Sequence, residues 1–547
     1  MTSDYDQKTP ERAQHSSPTR SFPNKRGEWT GEAILSFLQR RLAESRVCRG
    51  VLLIVLVLAV LAQIQAARTR PFSYDELLTV YVSSLRTPSA IWEALGDGVD
   101  GMPFTYHWLT GQISLLSLDP HISFRLLSIA GYLMGMIGVY AFVGKRFGPT
   151  WGLVAALLLT LSPFDWFAHE ARSYALLVGL LALATALWQR IEGGWWFTIA
   201  FAVCLGLAVA SHHFAIVALG CFAAAELSAI FLHRGFRWRV WMSLTFSSVP
   251  FFLSLPLLLR FRIMYAAHYW SKPTWDKILS SYPYVVGLPK TYSAAFVVLV
   301  GIVAAGILLD RRSQTSKAQP IDGFGLPEIV LSIGFLLFPA LLVILTMTQH
   351  AGYTERYAWP LILGFVSAFV FVFRTLAANS HSPLLVCALM IVFVVHNYRV
   401  WPTTQSARQF TQAAFAERLD GFNVVSARYR LEQNTPVVIA SFFDYLTAVY
   451  YSDLPLSNRY YFLVDSQAAF RFTGTDSGDI NMRAFSRAFP VRVRVEDANT
   501  FIGEHKKFIV WANNGDLNCW VPQFLIEKGV QLRLIQDPGQ VYLVESK

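Results

Sequence analysis

Between Val51 and Ala67 the chain reads VLLIVLVLAVLAQIQAA, and apolar runs of this kind recur up to about residue 400. Hydrocarbon offers no water to satisfy backbone N–H and C=O groups, so each run is committed to a helix. Crossing roughly 30 Å of hydrocarbon takes about 20 apolar residues. Eleven runs approach that length: 50–67, 123–143, 150–168, 173–190, 195–211, 213–232, 240–260, 291–309, 328–348, 358–374 and 382–399. Only 15% of the residues are charged, against about 25% in ordinary soluble proteins. The expected fold class is an α-helical polytopic membrane protein.

Charge placement supports this and excludes other classes. The formal charge of +10 is carried by Lys and Arg scattered between the apolar runs; they read as topology determinants, not as a nucleic-acid footprint. Cys48, Cys204, Cys221, Cys387 and Cys519 lie far apart with no CxxC spacing, so neither a disulfide framework nor a structural zinc is implied. Residues 1–49 read as a mostly disordered cytoplasmic tail with an amphipathic piece, AILSFLQRRL (33–42). The first apolar run starts too late for a signal peptide and is expected to be an uncleaved span.

One segment decides the topology. MPFTYHWLTGQISLLSL (102–118) is apolar but short, with polar residues every few positions. If it lies along the surface, Lys145, Arg146, Arg190, Arg234, Arg237, Arg239, Arg311, Arg312, Lys317 and Arg374 fall inside. Arg125, Arg172, Arg260, Arg262, Lys272, Lys277, Lys290 and Arg356 then fall outside. Ten cations against eight favour this arrangement, and Arg40, Arg41, Arg46 and Arg49 favour a cytoplasmic amino terminus. SYDE (73–76), HEARSY (169–174), SHHF (211–214), MYAAHYWSKPTW (264–275) and YTERYAWP (353–360) would then share one external face. The expected organisation is a membrane domain over 50–401, whose first external loop is 68–122, and an external soluble α/β domain over 402–547. In that last part PVVIAS, RYYFLVD and KFIVWANN read as strands, FFDYLTAVYY and CWVPQFLIEKGV as helices, and QLRLIQDPGQVYLVE as a closing hairpin.

The breaks between runs hold the reactive groups. Asp75 and Glu76 are adjacent on a helix start, so their side chains point about 100° apart and suit different roles. A carboxylate partly desolvated at a bilayer edge is the better base, although acidic residues equally suit any helix start. Arg172, beside His169 and Glu170, carries a guanidinium fork suited to phosphate; a snorkelling arginine paired with Glu170 is the alternative. Arg356 repeats the pattern beside Glu355 and Tyr357. His212 and His213 with Glu170 and Asp75 could hold a divalent metal, but no ligand spacing requires one. His107 and Tyr106 would approach Asp75 if their segment folds back. Asp97 and Asp100, in GDGVDGMP, read as turn residues.

SYDE, MPFTYHWL (102–109), ISFRLLSIAGYLMG (122–135), KRFGPTWGLVAALLLTLSP (145–163), HEARSYAL (169–176) and ERYAWPLILG (355–364), in this order, resemble the GT-C superfamily of polytopic glycosyltransferases. The protein O-mannosyltransferases, lipid A aminoarabinose transferases and related lipid A glycosyltransferases are the members most similar. The resemblance covers roughly residues 50–400. It implies a GT-C fold with juxtamembrane helices in the first external loop, and transfer of a sugar from a polyprenyl-phosphate donor. Asp75 is the implied catalytic base and Glu76 an assisting carboxylate. Arg172 and Arg356 are implied to hold the lipid phosphate, with Glu170, His107, Tyr174, His212 and Tyr357 as further substrate contacts. Met102-Pro103-Phe104 stands where the family has paired prolines, and the variable C-terminal domain does not name the acceptor. A glycolipid, a polysaccharide or a protein all fit. No nucleic-acid partner is implied, and the analogy points to a bacterial inner membrane. The competing class is a transporter or lipid flippase, in which charges sit near the midplane and internal repeats are common; here the charges cluster at span ends and no repeat is evident.

Overall fold

A computed structural model describes residues 44–232, 235–265, 269–289, 324–376, 382–400, 435–452, 457–490, 493–513, 516, 518–536 and 540–545. The tail, the amphipathic stretch 33–42, the apolar run 291–309, the basic segment 310–317 and residues 402–434 lie outside them. The described part of the membrane region is helical throughout. Helices α1 (Ser45–Thr69), α5 (Leu126–Phe147), α9 (Ile216–Phe231) and α10 (Trp238–Tyr265) lie in segments long and apolar enough to cross a membrane. Helices α12 (Leu326–Leu336) and α13 (Phe338–Gln349) together form a fifth such segment, bent by 55°. Pro339, at the start of α13, cannot donate to the carbonyl four residues back, which accounts for the break. Shorter helices join the bundle: α6 (Pro149–Thr160), α7 (Tyr174–Trp188), α8 (Trp195–Ser211), α11 (Asp276–Val286), α14 (Leu361–Leu376) and α15 (Ser382–Val400). The chain is a multi-pass membrane protein.

The first loop folds into α2 (Tyr74–Ser84), α3 (Pro88–Gly96) and α4 (Phe104–Ile113). Helix α4 has 10 residues, about 15 Å of helix, too short to span. The helix within 102–118 thus falls short of the length a span needs.

Lipid tails are as apolar as leucine, so packing between membrane helices rests on close van der Waals approach. The α5–α7 pair shows this. A Cβ placed on Gly131 would lie 2.4 Å from the Leu176 backbone, and one on Gly179 only 2.0 Å from the Gly131 carbonyl oxygen.

The C-terminal region carries a mixed six-stranded sheet, in order β3-β2-β1-β4-β6-β5. Strands β1 (Val437–Ile439), β2 (Tyr460–Val464), β3 (Val495–Asp497) and β4 (Lys507–Trp511) run parallel. Strands β5 (Leu532–Gln536) and β6 (Val541–Glu545) form the antiparallel hairpin expected from the sequence. Parallel pairing needs crossovers, supplied by helices such as α16 (Phe442–Tyr451) and α17 (Ser477–Ala488). The short strand β3 and the polar helix α17 were not legible in the sequence.

The sheet region and the first loop share one hydrophobic core. Leu77 and Tyr81 of α2 and Ile91 of α3 are buried in the same cluster as Tyr445, Val449 and Phe485. Hydrogen bonds reinforce it: the Phe72 backbone N–H donates to the Tyr451 hydroxyl at 2.8 Å, and His121 Nε2 meets that hydroxyl at 2.8 Å.

The tight α5–α7 approach predicts that Gly131→Val and Gly179→Val each lower the thermal midpoint of the detergent-solubilised protein sharply or abolish its accumulation. Gly220→Ala, with no atom within 4 Å of the added Cβ, should leave it within a degree or two. Equal behaviour of the three variants would refute the packing account.

Candidate active site

Ser73 starts α2. Its hydroxyl accepts from the Glu76 backbone N–H, and its own N–H donates to Glu76 Oε2 at 2.9 Å, forming a capping box. Glu76 is wholly buried and pairs with Arg125, which donates to it from Nε at 2.7 Å and Nη2 at 2.9 Å. The Ala171 backbone N–H donates to the same carboxylate at 2.7 Å. Arg125 spends its remaining donors on the carbonyls of Ala67, Arg70 and Pro71 at 2.5–3.1 Å. All five guanidinium N–H groups are thereby used. Burial by itself raises the Glu76 carboxyl, but Arg125 and Arg70 reverse this and hold it low, at about 2.

One residue back, Asp75 points the other way, into a cavity of about 940 Å³ between the membrane helices and the C-terminal region. One wall is apolar, from Phe251, Leu255 and Leu259 of α10 and Leu345 of α13. The middle is charged, with Asp75, Asp100, Arg172, Arg262 and Arg356. The roof comes from the C-terminal region, through Phe442, Phe443, Thr475, Ser477, Asn481 and Asn518.

The charges are mostly paired. Arg356 Nη1 donates to Asp75 Oδ2, with the two side chains 24% and 22% exposed. Asp75 Oδ1 has no partner among the described residues. Arg172 Nη1 donates to Asp100 Oδ2 at 2.7 Å and to the Asp75 carbonyl at 3.0 Å. His107 Nε2 approaches Asp100 to 3.4 Å. Burial raises the Asp100 carboxyl, but Arg172 and His107 outweigh it and hold it well below the usual carboxylate range. Arg262, exposed at the end of α10, donates from Nη1 to the neutral Gln349 side chain at 3.5 Å. Among the described residues it is the cavity arginine without a carboxylate partner.

Of the sequence candidates, Asp75, Arg172, His212, Arg356 and Tyr357 line the cavity. Glu76, Glu170, His107 and Tyr174 do not. Glu76 is consumed by Arg125, and His107 stands behind Asp100. Tyr174 packs against the rings of Phe167 and His212. Glu170 is buried beside Glu76 without pairing to Arg172, whose partner is Asp100. Burial first, and the Glu76 charge second, push the Glu170 carboxyl up to about 7. Burial pushes the His212 imidazole down to about 3, so it is neutral. Asp100, expected to be only a turn residue, does make a turn, accepting from the Met102 N–H at 3.3 Å, but it also pairs with the cavity's buried arginine. Nothing in the local pattern GDGVDGMP separates it from Asp97; its partner is 72 residues away. The described His, Cys, Asp and Glu side chains close enough to share a metal ion are Glu496, Glu504 and His505, on the sheet region and away from this cavity.

No family model matches the chain, and no curated protein does. Solved structures similar to it include ArnT from Cupriavidus metallidurans bound to undecaprenyl phosphate, at 12% identity and a TM-score of 0.49 over 90% of this chain and 98% of that one. An Archaeoglobus fulgidus oligosaccharyltransferase in complex with Zn and sulfate is similar at 12% identity and a TM-score of 0.38, over 90% and 73% of the two chains. The same oligosaccharyltransferase tethered to an acceptor peptide gives 12% identity and a TM-score of 0.39, over 91% and 74%.

Two tests follow from the buried charges. Removing one partner of a fully buried pair leaves an uncompensated charge, at a cost of about 3–5 kcal/mol; Arg125→Ala should therefore fail to accumulate or melt far below wild type. Glu170 has the opposite sign to Glu76. Its carboxyl binds a proton more tightly folded than unfolded, so its contribution falls as pH rises from the ordinary glutamate value of 4.5 through about 7. Glu170→Gln should raise the thermal midpoint at pH 8 and give no gain at pH 4.5. An equal effect at both would contradict the assignment.

Proposed function

We propose that the chain is an integral membrane glycosyltransferase. In this reading it moves a hexose or pentose from a polyprenyl-phosphate donor to an acceptor at the external membrane face, in a bacterial inner membrane, with inversion at the anomeric carbon. The observation that carries the proposal is one cavity in which an apolar helix wall, an arginine with no carboxylate partner among the described residues, and a carboxylate oxygen with no partner among them come together. A polyprenyl phosphate is apolar along its chain and anionic at its head. Its tail suits the α10–α13 wall and its phosphate suits Arg262, with the unengaged N–H groups of Arg356 close to Asp75. The ordered resemblance of SYDE, HEARSYAL and ERYAWPLILG to the GT-C superfamily points the same way.

The chemistry is one displacement. Asp75 Oδ1 takes the proton of an acceptor hydroxyl or amine as that atom bonds to the anomeric carbon. The bond from that carbon to the phosphate oxygen breaks, and the polyprenyl phosphate leaves with both bonding electrons. Arg262 and Arg356 stabilise the charge that develops on it. One displacement without a glycosyl-enzyme intermediate inverts the configuration. Glu76 acts in this reading through position alone: held by Arg125, it fixes the start of α2 and so the direction of Asp75. Arg172 likewise orders Asp100 and the α2 backbone in place of binding phosphate directly.

The test is sugar transfer by the purified protein in nanodiscs, from a panel of polyprenyl-phosphate sugars. Asp75→Asn, correctly folded, should lower kcat by about 10²–10⁴. Arg262→Ala should raise the donor KM by roughly tenfold or more while the fold stays intact. A folded Asp75→Asn variant as active as wild type would remove Asp75 as base. Lipid flipping without transfer would replace the enzyme reading by the transporter one.

A further inference from the structure

Helix α17 of the C-terminal region packs on the first loop through Phe485, against Tyr81, and makes its hydrogen bonds to that loop through Asn481. Asn481 Oδ1 accepts from the Tyr74 hydroxyl at 2.5 Å. Its amide nitrogen donates to the Val99 carbonyl at 2.8 Å and to the Gly98 carbonyl at 3.3 Å. Tyr265, from the end of α10, donates to the same Gly98 carbonyl at 2.7 Å and lies 3.4 Å from the Asn481 amide. Gly98 has φ +88°, and a Cβ there would meet Met264 at 3.0 Å, so this stretch has little room to rearrange.

The residues held are the immediate neighbours of the two cavity carboxylates. Tyr74 precedes Asp75, and Val99 precedes Asp100. From the other side, Arg172 donates to the Asp75 carbonyl and to the Asp100 carboxylate. Two parallel ties thus join the same two segments, Arg172 across residues 75 and 100 and Asn481 across residues 74 and 98–99. The first comes from the membrane helices, the second from a region more than 300 residues later in the chain.

We propose that Asn481 is a positioning residue: the C-terminal region completes the active site by fixing, through this one amide, the segments that bear Asp75 and Asp100. The inference rests on the transferase reading for its kinetic consequence, and on geometry alone for the tie itself. Tyr74 is half-buried in the same contact, so losing the amide removes the acceptor of its hydroxyl and frees the first turn of α2. The donor's groups, its phosphate at Arg262 and its tail on the α10–α13 wall in the proposed reading, are not contacted by this amide. Chemistry should therefore suffer more than donor binding.

The experiment uses the full-length protein in nanodiscs, with wild type, Asn481→Ala, Tyr74→Phe, the double variant, and Asn499→Ala as a control on the same sheet region. On a donor that wild type turns over, Asn481→Ala should lose between about tenfold and about a hundredfold in kcat. The donor KM should move less than about threefold. Tyr74→Phe should lose activity in the same direction. The double variant should be no slower than Asn481→Ala, since both changes cut one tie; a general loosening of the fold would add instead. Asn499→Ala should match wild type. An unchanged kcat, or losses that multiply, overturns the proposal. Should Asn481→Ala fail to accumulate, Tyr74→Phe cuts the same bond and carries the test. If wild type turns over no donor, the transferase reading fails by itself, and hydrogen exchange then decides the tie. Amides at 97–102 and in the first turn of α2 should exchange faster in Asn481→Ala, with β4 unchanged; equal exchange throughout overturns it.

Discussion

The Arg125–Glu76 pair is the contact on which the rest of the site depends. Both side chains are fully buried, where an unpaired charge would be prohibitively costly, so every lone pair and every N–H must be answered. The answer fixes the geometry of four segments at once. Arg125 holds the last carbonyls of the first span and its exit through Pro71. Glu76 closes the α2 capping box and takes the Ala171 N–H from the turn that carries Arg172. No one of these segments can shift without leaving a buried polar group unmet.

Given that anchor, the direction of Asp75 follows from helix geometry. Consecutive helical residues diverge by about 100°, so a Glu76 committed to Arg125 turns Asp75 toward the cavity. The remaining charges are arranged around it by pairing. Asp100 answers Arg172, and Arg356 answers half of Asp75. Among the described residues this pairing leaves over one carboxylate oxygen of Asp75 and the Arg262 guanidinium, the two groups to which the proposed reading gives a substrate proton and a substrate phosphate.

The cavity is also composite. Its apolar wall belongs to α10 and α13, its charges to loops between helices, and its roof to the C-terminal region. That region is no detached appendage. It shares a hydrophobic core with α2 and α3, and Asn481 and Tyr451 bind backbone and side chains of the first loop.

The sequence by itself determined the helical membrane architecture, because apolar length and the demand for internal backbone hydrogen bonding leave a chain in lipid few options. The apolar runs within the described residues are mostly helical, although 150–168 and 328–348 each break into two helices. It also gave local signals strong enough to mark Asp75, Arg172 and Arg356, since charged residues at span ends are few and conspicuous. It could not tell which arginine answers which carboxylate. HEARSY suggests Glu170 beside Arg172, yet the partner is Asp100 from a distant turn, and Glu76 turns to Arg125, a residue just before α5 at the edge of an apolar run. Arg262 and Asn481 carry no local mark at all. Electrostatic pairing in a low-dielectric site is decided by which segments meet in space, and side chains hundreds of residues apart meet only once the chain has folded.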